Sequence, residues 1–160
     1  MQARMKQYPL SEAQIHDLLA TEQVGRLATI GKDGFPYITP VHFVFMEGKL
    51  YIHGLAAGEK LKNIEADSRV GFEVEKMLSL IHDDENPCDT NTEYNSVIIR
   101  AVASIVENVD KKTAVLDAIV KKYTPQHTGK TYPANMLKMT GVIELAVQSC
   151  TGKYYPGKTG

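Results

Sequence analysis

Apolar and polar positions in this chain alternate with a period of two in short blocks, interrupted in a few places by a helical period. Ser11 with Gln14 three residues on reads as a capping box, and Ile15, Leu18 and Leu19 follow as one apolar face, so a helix is predicted to run to about Gln23. Residues 24 to 31 read as a strand and Lys32-Asp33-Gly34 as its turn, since Asp-Gly favours tight hairpins. Residues 35 to 46 read as one long second strand. Pro36 and Pro40 within it lack an N–H for the ladder, and Pro40 marks a bulge or an edge position. Glu47-Gly48 then turns the chain into a third strand, with Leu50 and Ile52 on one face and Tyr51 and His53 on the other.

Gly58 to Ala66 has helical spacing through Leu61 and Ile64, and Asp67-Ser68 ends it. Arg69 to Glu75 alternates as a strand, and residues 82 to 93 are polar and turn-rich, which predicts a loop. Tyr94 to Asn108 reads as a long strand whose small Ala101 and Ala103 imply a crowded interior. Asp110 is placed as the cap of a helix carrying Val115, Leu116, Ile119 and Val120. A Pro/Thr/Gly-rich connector spans Thr124 to Pro133, and Met139 to Ser149 closes the pattern as a strand. Six strands joined as hairpins, with helices at the start, in a crossover and near the end, predict a mainly β fold: a six-stranded antiparallel barrel with helical decoration.

Composition narrows the class. A chain of 160 residues with no repeat and no linker fits one domain. A formal charge of −1 gives no general attraction to nucleic acid or to an anionic membrane, so neither is expected as a partner. Arg100 and Glu144 interrupt the best apolar runs before membrane-spanning length, and the first ten residues have no apolar signal core, so a cytoplasmic location is expected. Cys88 and Cys150 are isolated, without zinc or disulfide spacing.

The order of elements from Val24 to Val74 places an extended sheet face, the His53-Gly54 turn and the first-turn Lys60 in a position to surround one planar phosphorylated ligand. The succession GRLATIGKDGFPYITPVHFVF, GKLYIHG and GEKLKNIEADSRVGFEV resembles the FMN-binding split barrel of the pyridoxamine 5′-phosphate oxidase superfamily. Within it the chain is similar to the nitroimidazole-resistance branch, to which Glu93 to Ile98 and Thr151-Gly152-Lys153 also conform. The likeness covers residues 11 to 153 and rests on order and spacing, since each motif is short.

The resemblance implies bound FMN and a set of contacts. Lys60 matches the family's phosphate cation; where the oxidases carry an arginine before that lysine, this chain has Glu59, which leaves Lys62, Arg26 or Lys153 as possible additional partners. Pro40, Val41, His42, Phe43 and Val44 match the strand that offers backbone groups to the flavin ring, although Phe43 and Val44 also read as plain core. His53 matches a histidine near the flavin, as a binding contact or as a proton donor and hence the candidate catalytic residue. Gly54 allows close approach of the backbone. Ser96 matches a position that reaches the partner's flavin in a homodimer, with FMN at the subunit interface.

Two absences bear on activity. The chain has no tryptophan, and its tail CTGKYYPGKTG has no arginine, whereas the vitamin B6 oxidases use both near the substrate. Pyridoxamine 5′-phosphate oxidation is therefore not expected. Flavin-dependent reduction of small nitroaromatic compounds is the expected activity, and non-catalytic binding of FMN or haem, as a carrier or sensor, is the alternative. The acidic residues Asp83, Asp84 and Glu85 give the 82 to 93 loop a charge that repels anionic substrates, if it covers the site.

Overall fold

The computed structural model describes residues 6–156. Helix α1 (Glu12–Thr21) starts at the capping box: the Ser11 hydroxyl accepts from the Gln14 N–H, and the Gln14 side chain accepts from the Ser11 N–H. Strands β1 (Gly25–Ile30), β2 (Pro36–Val41), β3 (Phe43–Met46) and β4 (Lys49–Leu55) follow, then α2 (Glu59–Ala66) and the long β5 (Arg69–Ile81). After β6 (Asn91–Ile105) come α3 (Val109–Tyr123), the short α4 (Ala134–Met139) and β7 (Thr140–Tyr155).

One seven-stranded sheet in the order β2-β1-β5-β6-β7-β4-β3 holds all the strands, and every neighbouring pair is antiparallel. The expected mainly β split barrel is therefore present, with two corrections. There are seven strands rather than six, because the single strand expected from 35 to 46 breaks at His42 into β2 and β3. The barrel is also not closed by hydrogen bonds. β2 and β3 form opposite edges of the sheet, and only His42 joins them. Pro36 and Pro40 sit on the edge strand β2, where their missing N–H costs no ladder bond.

Smaller differences have local causes. Asn108, not Asp110, caps α3, since its side chain accepts from the Lys111 N–H. The expected 82 to 93 loop is shorter, because β5 and β6 keep pairing outward as far as Ile81 with Asn91. β7 runs past Ser149 to Tyr155, accommodating a register shift opposite Arg100 and Ala101.

Two apolar clusters hold the fold. Leu27, Phe43, Leu50, Ile52, Phe72, Ile99 and Leu145 fill the concave interior, capped at its ends by α1 and α2. Val44, Tyr51 and Val142 face the other way and pack under α3 through Val115, Leu116 and Ile119. The alternation of β4 thus feeds two cores, with His53 on the Tyr51 side as expected. Beside the second cluster Glu144 accepts hydrogen bonds from Lys49 at 2.6 Å, from Tyr51 at 3.1 Å, and from Lys111. Burial alone would raise the pKa of this carboxyl, but the three donors overcome it and hold it at about 2. Replacing Glu144 with alanine leaves the buried Tyr51 hydroxyl unpaired, and chemical denaturation is expected to show a loss of about 2–3 kcal/mol. The wild-type contribution is complete above the ordinary carboxylate pKa of 4.5 and is lost as pH falls through about 2.

Candidate functional site

The break at His42 creates the site. There β2 leaves one edge of the sheet and β3 starts the other, and an open cleft of about 380 Å³ lies along the seam. Val24, Pro40, Val41, His42, His53 and Lys60 line it. Five of the residues expected from sequence therefore meet in one place, although they come from β2, the seam, β4 and α2.

Lys60 reaches the cleft because α2 begins just beyond the end of β4. The N-cap Gly58 has φ +141°, a conformation that side-chain-bearing residues rarely adopt. A Cβ at Gly54 would lie 3.4 Å from the Lys60 Nζ, an ordinary contact distance, so the ammonium rests beside this end of β4. No side chain caps α2, and Lys60 has no ion-pair partner among the described residues. Lys60 thus brings one ammonium, from the first turn of α2, to the cleft, which suits an anion. Lys62 is exposed on the other side of the helix. Arg26 lies opposite Pro40 in the ladder, yet Glu73 at 2.8 Å and Glu75 at 3.3 Å occupy its guanidinium.

His53 is half-buried, and its Nδ1 is buried without a hydrogen-bond partner among the described residues. Burial, reinforced by neighbouring His42 and Lys60, holds its pKa below the usual 6.5. It is therefore a neutral imidazole at neutral pH, with one nitrogen free to accept or donate. An NMR titration is expected to place its midpoint below 6.5, and a midpoint at or above that value would contradict the assignment. Since the folded value lies below the unfolded one, the stability associated with this residue is complete above about pH 6.5 and is lost as pH falls toward the folded value.

The His42 ring stacks 4.4 Å from Tyr123 and 6.4 Å from His53. The Tyr123 hydroxyl accepts from the Phe43 N–H at 2.9 Å, and its one O–H proton lies within donating distance of the carbonyls of Gln23 and Phe43, at 2.8 and 2.9 Å. Burial raises its pKa, against the hydrogen bond to Phe43. The last turn of α3 thereby pins both chain segments that flank the cleft. Next to it, Lys122 donates to the Leu19 carbonyl at 3.0 Å and sits 3.9 Å over the Phe43 ring; burial brings its pKa down to about 8.

Not every expected residue is here. Phe43 is fully buried in the barrel core and Val44 in the second cluster, and the Phe43 backbone is engaged by Tyr123. Ser96 and Lys153 are direct ladder partners, but they lie at the far end of β6 and β7. Lys153 is eleven positions along β7 from Val142, the partner of His53, or roughly 36 Å of extended strand. Lys153 instead lies 5.4 Å over the Tyr94 ring. Val24 and Tyr123 were not anticipated; a valine opening a strand and a tyrosine after two lysines carry no local signal.

Comparison with known structures places the fold. The chain is similar to a candidate 5-nitroimidazole antibiotic resistance protein from Bacteroides thetaiotaomicron, with a TM-score of 0.79 at 20% identity over 90% of this chain and 84% of that one. It is similar to an FAD and heme binding protein from Mycobacterium smegmatis, with a TM-score of 0.83 at 21% identity over 92% and 72%. It is likewise similar to a flavocytochrome from Azotobacter vinelandii, with a TM-score of 0.81 at 19% identity over 92% and 68%. No curated protein sequence matches it. The family model described as pyridoxamine 5′-phosphate oxidase matches residues 11–154, and the chain belongs to that family.

Proposed function

We propose that this protein is an FMN-binding flavoprotein that reduces small nitroaromatic compounds. The observation that carries the reading is the convergence, in one open cleft, of a first-turn lysine and a histidine with a buried Nδ1, neither of which has a polar partner among the described residues. That donor set fits FMN. Lys60 and the first-turn N–H groups of α2 would hold the phosphate, and the His42 and His53 rings with Pro40 and Val41 would border the flavin. FMN supplies the redox chemistry, passing electrons from a reduced donor to the acceptor. His53, neutral and desolvated, would hydrogen-bond the ligand or hold a proton beside the reacting group. The 160 residues contain no tryptophan, which favours a nitroaromatic acceptor over pyridoxamine 5′-phosphate.

A homodimer completes this reading. Ile38, Ile98 and Val102 are exposed on the outer sheet face that Pro40 shares. The side chains of Tyr94, Ser96 and Lys153 fall on the same face, at the opposite end from the cleft. A two-fold axis through that face would bring Ser96 and Lys153 of one subunit toward the cleft of the other. Ile98→Asp is expected to give a monomer in sedimentation velocity and to lower FMN occupancy; an intact dimer would place the interface elsewhere. The decisive experiment is the absorption spectrum of the purified protein, with identification of the ligand released on denaturation. Released FMN supports the reading, and a Soret band in its place would replace it with haem binding. Turnover of a nitroimidazole under anaerobic conditions with a reduced donor then tests the activity, and its absence with every donor would leave a carrier.

A further inference from the structure

Another cavity lies away from the cleft, where α1 caps the interior of the sheet. It holds about 320 Å³ between α1 and strands β3, β6 and β7. Ile15 and Leu19 of α1, Phe45, Ile99 and Val147 form its apolar walls. Three of these, Ile15, Phe45 and Val147, face the core yet stay only partly buried, so α1 covers this end of the barrel incompletely. Glu12, His16 and Cys150 stand at the rim. Glu12 and His16 lie four residues apart on one helix face, and neither makes a side-chain hydrogen bond or ion pair among the described residues. The His16 ring packs against the Phe45 ring in a T-shaped contact at 5.2 Å, and the residue is exposed.

We infer that this cavity is a second ligand site, for a compact aromatic molecule bearing an amine. Barrel mouths are frequent ligand sites, and an apolar chamber with a few convergent polar groups is the usual form of such a site. The size admits one or two fused rings. Seating a ring there buries apolar surface on Ile15, Phe45 and Val147 that the fold leaves exposed to water. At the mouth the Glu12 carboxylate attracts a cation and rejects an anion, and the His16 imidazole adds a hydrogen bond. The walls include no residue of the cleft, so the site does not depend on the flavin reading.

The test uses the protein as purified, labelled at isoleucine and valine methyls and titrated with tryptamine or with indole-3-propionate, which present the same ring with opposite charge. Tryptamine is expected to shift the Ile15, Ile99 and Val147 methyls saturably, and indole-3-propionate to bind roughly tenfold more weakly. Glu12→Gln, an exposed change, is expected to erase most of that preference. Cys150→Trp, which places an indole at the mouth, is expected to abolish the shifts while the spectrum stays dispersed. No saturable shift of these methyls, tighter binding of the acid, or an unchanged preference in Glu12→Gln would each overturn the inference.

Discussion

Replacing Lys60 with alanine is expected to weaken FMN binding by about a hundredfold while leaving the affinity for riboflavin unchanged. The argument is electrostatic. The ammonium is unpaired among the described residues and lies against Gly54 at the start of α2. A phosphate there loses one charge-assisted hydrogen bond, worth about 2–3 kcal/mol, which corresponds to roughly 30- to 150-fold in Kd. Glu59 precedes Lys60 where a second cation would stand, so no adjacent side chain compensates. Flavin fluorescence titration of the stripped protein measures both ligands. Lys60→Arg is expected to keep most of the affinity. Wild-type FMN affinity in Lys60→Ala, or an equal loss for riboflavin, would remove Lys60 from the phosphate.

The second large effect is expected at Tyr123. Tyr123→Phe keeps the ring that stacks on His42 but deletes a hydroxyl bound to three backbone groups of Gln23 and Phe43. At the outer edge of β3 that hydroxyl replaces the neighbouring strand the sheet lacks there. Leaving the Phe43 N–H and two carbonyls without it is expected to cost about 2 kcal/mol in chemical denaturation. Because the same groups fix the seam beside the cleft, FMN affinity is expected to fall roughly tenfold. A destabilised variant with unaltered affinity would confine Tyr123 to a structural role.

Much of the fold could be read from the sequence because its signals are local. The capping box at Ser11, the Asp33-Gly34 and Glu47-Gly48 turns and the two-faced alternation of β4 each depend on a few adjacent residues. The seam at His42 gave no such signal. Alternation continues across it, and one residue of changed direction leaves the apolar pattern intact. The candidate cleft was legible in part for a related reason. Pro40, Val41, His42, His53 and Lys60 belong to one stretch whose order sets their neighbourhood. Tyr123 lies some eighty residues from Phe43, and only the docking of α3 brings them together. The burial of Phe43 and Val44 on opposite sides of β3 likewise depends on two cores that no local pattern reveals.

The seam is also expected to order the assembly of the sheet in time. β1 with β2 and β3 with β4 are hairpins between neighbours in sequence, so each loses little chain entropy on closing. They form the two ends of the sheet, β5 with β6 closes as a third hairpin between neighbours in sequence, and only the joins of the ends to the middle need distant partners: Lys49 must find Ala146, and Leu27 must find Phe72. Such contacts between residues far apart in sequence slow folding. His42, by tethering the two hairpins to each other, is expected to hold both ends within reach of β5, β6 and β7 while the sheet forms.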